Sequence, residues 1–113
     1  MEDIYESIVE TFNEGMHIPL IRDGKYYTFI GTEVTTVNGV DHVDAIHYRI
    51  SATNTKRITH QFIELTYKFY QDNNNEFPNV DWYINHELLK YEYKSRPCNK
   101  SVARGLISKV LNL

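Results

Sequence analysis

The spacing of apolar positions divides the chain into an opening helix, a hairpin and a run of helices. Ile4, Ile8, Val9 and Phe12 recur at helical spacing and predict an amphipathic helix over residues 3–14, with Gly15 as its stop. Residues 25–50 read as a β-hairpin. Asn38-Gly39 marks its turn, because a two-residue type I′ connection needs two positions that tolerate positive φ. Both flanks are rich in Tyr, Thr, Val and Ile. Such a loop sets Val37 opposite Val40 and fixes every later pair. Thr28 then faces Arg49, Phe29 faces Tyr48, Ile30 faces His47, Gly31 faces Ile46, Glu33 faces Asp44 and Val34 faces Val43. The face bearing Tyr27, Phe29, Gly31, Ile46, Tyr48 and Ile50 is the expected buried one. A lone hairpin is marginal in water, so the helices, or a further strand around residues 17–22, must cover it.

The longest helix is predicted over residues 56–73. Ile58, Phe62, Leu65 and Phe69 form its stripe, Ser51, Thr53, Asn54 and Thr55 offer N-caps, and Asp72-Asn73-Asn74-Asn75 ends it. A second helix over 79–91, capped by Asn79 after Pro78, carries Val80, Tyr83, Ile84 and Leu88 inward. A looser stretch, 91–98, precedes a last helix over 100–112 capped by Asn99, with Val102, Ala103, Leu106, Ile107, Val110 and Leu111 on its apolar side. The expected fold is α+β: an N-terminal helix, a β-hairpin and a three-helix C-terminal bundle whose layout resembles a helix-turn-helix. At 113 residues the chain is one domain, 1–50 forming helix plus hairpin and 51–113 the three-helix part.

Composition adds three constraints. The single cysteine, Cys98, allows no intramolecular disulfide and fits a reducing compartment. No apolar run is long enough for a membrane helix, and the acidic opening argues against a secretory signal, so a cytoplasmic location is expected. Charge is polarised along the chain. Glu2, Asp3, Glu6, Glu10, Glu14 and Asp23 face only Arg22 near the start, whereas Lys90, Lys94, Arg96, Lys100, Arg104 and Lys109 face only Glu92 near the end.

Candidate chemistry is sparse. Glu33 and Asp44 directly across a ladder would repel; a cation held with His42, solvent, or a register-shifting bulge would relieve them. No zinc or calcium spacing is present, so no metal is expected. Cys98, ahead of a helix and near Arg96 and Lys100, has the setting of an activated thiol but no placed base, and is read as structural. No reaction constellation is complete, so no enzyme, catalytic residue or cofactor is expected. Two binding readings compete. The first is nucleic-acid binding, with DNA as the expected form, by a basic last helix: Lys100, Ser101, Arg104, Gly105, Ser108 and Lys109 outward, flanked by Lys94 and Arg96. The alternative is a protein-binding accessory or inhibitor module whose interface is the aromatic hairpin: Tyr26, Tyr27, Phe29 and Tyr48.

Overall fold

The computed structural model describes residues 3–20, 24–37 and 39–113. Among these, five helices and a four-stranded antiparallel sheet follow the order α1 (Ile4–Thr11), β1 (His17–Pro19), β2 (Tyr26–Val37), β3 (Val40–Ser51), β4 (Asn54–Thr59), α2 (His60–Asp72), α3 (Val80–Asn85), α4 (Lys90–Ser95) and α5 (Asn99–Leu111). The strands lie side by side in chain order. The α+β class is as expected; the helix order differs from the expected three-helix part, with α3 and α4 where one helix and a looser stretch were expected. The helix α5 packs on β1, β4, α1 and α2, while α3 packs on α4.

The helices cover one face of the sheet. Ile18, Phe29, Ile46, Tyr48 and Ile58 from the strands are buried with Ile4, Ile8, Phe62, Ile63, Tyr83, Val102, Leu106 and Ile107 from the helices and with Leu89 just ahead of α4. Strand alternation turns Thr28, His47, Arg49, Thr55 and Arg57 to the opposite, more exposed face. The opening helix forms where predicted. Asp3 caps it, its Oδ1 accepting from the amides of Tyr5 and Glu6.

The hairpin register is partly corrected. Asn38 lies outside the described residues, but Val37 pairs with Val40, as a two-residue connection requires. Farther out the expected pairs slip by one: Gly31 faces His47, Thr32 faces Ile46, Glu33 faces Ala45, Val34 faces Asp44 and Thr35 faces Val43. Thr28–Arg49 and Phe29–Tyr48 return to the expected register. Two bulges that cancel account for this. On β3 an extra residue is taken up at Asp41-His42, where His42 adopts φ 60°; on β2 the extra residue is Ile30. The first bulge removes the expected Glu33–Asp44 clash.

The predicted helix over 56–73 begins too early. Residues 56–59 belong to β4, whose Ile58 pairs with Ile46 and is fully buried. The cap is Thr59, whose hydroxyl accepts from the Phe62 amide. The end falls as expected at Asp72, followed by Asn74 and Asn75 at positive φ. The predicted helix over 79–91 is two helices with a break at residues 86–89, and the stretch expected to be loose contains α4. Asn79 caps α3 as expected. Asn99 does not cap α5: it lies inside the helix with a buried side chain.

A buried polar network explains that placement. Glu92 is 7% exposed. It accepts from the Thr59 amide at 3.0 Å, the Thr59 hydroxyl at 2.6 Å and Asn99 Nδ2 at 3.0 Å. Asn99 Nδ2 also donates to the Arg57 carbonyl, and its Oδ1 accepts from the Tyr48 hydroxyl. Side chains of α4 and α5 thereby satisfy backbone groups along the free edge of β4, the edge that would otherwise invite another strand.

Candidate nucleic-acid interface

The expected reading helix is largely interior. Val102, Ala103, Leu106 and Ile107 are buried, and so is Gly105. A Cβ on Gly105 would stand 2.0 Å from the Pro19 carbonyl oxygen, so α5 meets β1 backbone to backbone. Gly105 is therefore a packing residue, and the expectation that it faces outward is corrected. Arg104 and Lys109 remain exposed on the opposite side of the helix.

The basic residues named from sequence do not share one face. Arg96 lies in a cleft with His47, Thr55, Lys56, Arg57 and Ser95. Lys94 borders a separate groove with Ile84, Lys90, Tyr91, Tyr93 and Pro97. Arg104 and Ser108 line a third depression beside Pro19 and Glu76, with the Arg104 guanidinium 5.2 Å from the Phe77 ring centroid. Ser101 lies near Lys25, Tyr26 and Cys98. Lys109 is exposed and Lys100 half-buried. Of the aromatic hairpin, Phe29 and Tyr48 are core residues, which corrects their reading as an interface; Tyr27 is half-buried and stacks on Tyr48, and only Tyr26 is exposed, stacked on His17.

Among the described residues, the cleft between β4 and α4 gathers Lys56, Arg57, Arg96 and His47. Its volume is about 270 Å³. Strand alternation carries Arg57 and its neighbour His47 on the outer face of the sheet, whereas Lys56 reaches the cleft from the other side of β4. The turn from α4 into α5 brings Ser95 and Arg96 to meet them. Glu33 is the nearby counter-charge, 2.7 Å from His47 Nε2 and 3.7 Å from Arg57, which also donates to the Thr35 hydroxyl. Among the described residues, neither Lys56 nor Arg96 has a carboxylate within salt-bridge distance. Two cations without a direct ion pair, a third shared with one glutamate, and the Thr55 and Ser95 hydroxyls suit an anionic oxygen group such as phosphate.

Lys56 and Arg57 are not among the residues that sequence singles out, because helical periodicity extends backward over β4; His47 falls on a hairpin strand as expected but is not read there as a site residue. A contrary signal is present: Ser51-Ala52-Thr53-Asn54 is rich in turn formers, and Thr55 to Thr59 contains three β-branched residues. Cys98 places its sulfur 3.0 Å from the Tyr48 hydroxyl at the start of α5. Glu33, His42 and Asp44, considered together for a metal, are separated by the bulge. The ligand set that does converge is Asp3, His60 and Glu64, whose donor atoms lie within 4.8 Å of one another. Burial, and then a hydrogen bond to Asp3, raise the Glu64 carboxyl to about 6, while that bond holds Asp3 below its ordinary range.

No protein-family model, curated protein or solved structure matches the chain. No helix among the described residues is long and apolar enough to cross a membrane.

Proposed function

We propose that this protein binds nucleic acid through the β4–α4 cleft. The observation that carries the reading is the gathering of Lys56, Arg57, Arg96 and His47 around one small polar cleft, with Glu33 the carboxylate paired to it and buried Glu92 near Arg96, in a chain whose formal net charge is −3. A local excess of cations in an acidic protein attracts a polyanion to one place and repels it elsewhere. In the separate groove on the same helix, Tyr91 is 61% exposed with the Lys90 ammonium 5.3 Å from its ring centroid, and offers a stacking surface beside Lys90 and Lys94. Cations beside an exposed aromatic ring favour single strands over duplex, because unpaired bases can stack. Lys94 keeps its expected role as a flanking phosphate ligand; Lys100, Arg104 and Lys109 move to the periphery. The single free thiol supports a cytoplasmic setting.

The test is a fluorescence titration of single-stranded and duplex oligonucleotides at low and moderate salt. Binding to single strands at low salt, weakened by salt and by Lys56→Glu, is the expected result. No binding at low salt removes nucleic acid from consideration.

A specific observation favours protein binding as the second reading. Val80, Ile84, Leu88 and Tyr91 are all about half exposed or more and follow one another from α3 through the break at 86–89 into α4. Ile84 and Tyr91 line a groove bordered by Lys90 and Lys94, which fits an apolar protein segment with acidic flanks. This surface, and not the hairpin, would be the accessory or inhibitor interface.

A further inference from the structure

We infer that Asp3, His60 and Glu64 form a site for a divalent transition-metal ion, with zinc as the best-fitting class, that ties α1 to α2. His60 and Glu64 stand one turn apart at the start of α2, so both project from the same side of that helix. Asp3 arrives from the cap of α1. Its Oδ1 is occupied in capping, which leaves Oδ2 turned to the histidine. His60 Nε2 lies 3.4 Å from Asp3 Oδ2 and 3.6 Å from Glu64 Oε1. Both separations are long for a charge-assisted hydrogen bond, which closes to about 2.7–2.9 Å. They approach the ligand-to-ligand distance of about 3.3 Å that a tetrahedral ion with bonds of about 2.0 Å imposes.

The surroundings provide access and rigidity. The three donors stand in the wall of an open depression of about 650 Å³ that continues along α2 past Leu65, Tyr67, Lys68, Gln71 and Asp72. The Tyr5 ring packs edge-on against the His60 ring at 4.6 Å, and Glu64 Oε1 accepts from the Tyr5 amide, so α1 fixes two of the three ligands. One imidazole and two carboxylates suit zinc better than calcium or magnesium, which take oxygen ligands. Three protein ligands beside open solvent leave a fourth position for water or an incoming group.

The experiment titrates the full chain, purified without a metal-affinity tag, with cobalt(II) as the optical probe and then displaces it with zinc. The expected result is one equivalent of cobalt with a visible ligand-field absorption, displaced by zinc, and a higher melting temperature with either ion. His60→Ala should weaken binding at least tenfold. Asp3→Asn should do so while keeping the cap, since asparagine caps as well as aspartate; its circular dichroism separates lost binding from lost folding. Cys98→Ser should leave binding unchanged. No saturable binding by the parent chain, undiminished binding in both Asp3→Asn and His60→Ala, or loss of binding in Cys98→Ser overturns the site.

Discussion

Single side chains decide how the elements of this fold are joined, and Glu92 is the clearest case. Its carboxylate takes up the Thr59 amide and one hydrogen of the Asn99 amide, two donors with little access to water. Glu92→Ala should leave both short of an acceptor, at roughly 1–3 kcal/mol for each buried donor. Urea denaturation measures this; a loss under about 0.5 kcal/mol, the size of an ordinary surface change, would contradict it. Charge state sets a second expectation. Burial raises the Glu92 carboxyl above its ordinary 4.5, an effect that the Thr59 and Asn99 donors and nearby Arg96 oppose. A carboxyl raised by folding contributes stability that is complete below its ordinary value and is lost as pH climbs through the raised one. Glu92→Gln cannot ionise. The urea midpoint of this variant relative to the parent should therefore rise as pH increases above 4.5. A difference that stays constant with pH would show that Glu92 does not titrate as its burial requires. Gly105 is the other decisive residue. With the Pro19 oxygen where a Cβ would stand, Gly105→Ala should cost about 3 kcal/mol, the upper end of the usual overpacking range. A melting temperature equal to the parent's would mean that α5 and β1 separate easily.

Elements with a strong local signal form where the sequence places them: α1 behind its Asp3 cap, α3 behind Asn79, the close of α2 in the asparagine run, and the Val37–Val40 pairing at the hairpin end. What is not legible comes from tertiary demands. Periodicity assigns Ile58 to a helical stripe as readily as to a strand, and only its pairing with Ile46 on β3 decides the matter. A bulge is one foreseeable relief for Glu33 and Asp44, and it forms at His42. Its cancelling partner at Ile30 answers to the core, which needs Phe29 and Tyr48 on the helix side. Asn99 resembles a cap in sequence; its buried partners Glu92, Tyr48 and the Arg57 carbonyl come from three other elements. The boundary between β4 and α2 can be tested at Thr59. Thr59→Ala removes the cap of α2 and a donor to Glu92, and should cost about 2 kcal/mol, whereas Thr59→Ser should recover most of it. Equal stability of the two variants would show that the hydroxyl plays neither part.

At the scale of the whole molecule, bases that cluster along the chain do not cluster on one surface. The basic C-terminal third is divided among separate depressions, and the cleft that holds Arg96 depends on Lys56, Arg57 and His47 from the middle of the chain. The sequence points to Arg96 and Lys94 but also to α5 as the centre of the site, because an amphipathic stripe does not reveal how many sides of a helix are covered. Here β1 covers a side that looks polar in sequence, through Gly105. The most direct measurement compares two double variants in the same single-strand titration. Lys56→Glu with Arg96→Glu reverses the cleft charge, and Arg104→Ala with Lys109→Ala strips the outer side of α5. The cleft pair should lose binding at low salt. The α5 pair should bind within a few-fold of the parent, with nearly the parent's salt dependence, since removing one phosphate-neutralising cation would lower the slope by about 0.7. Binding that survives in the cleft pair but fails in the α5 pair would return the interface to the last helix and contradict the β4–α4 assignment.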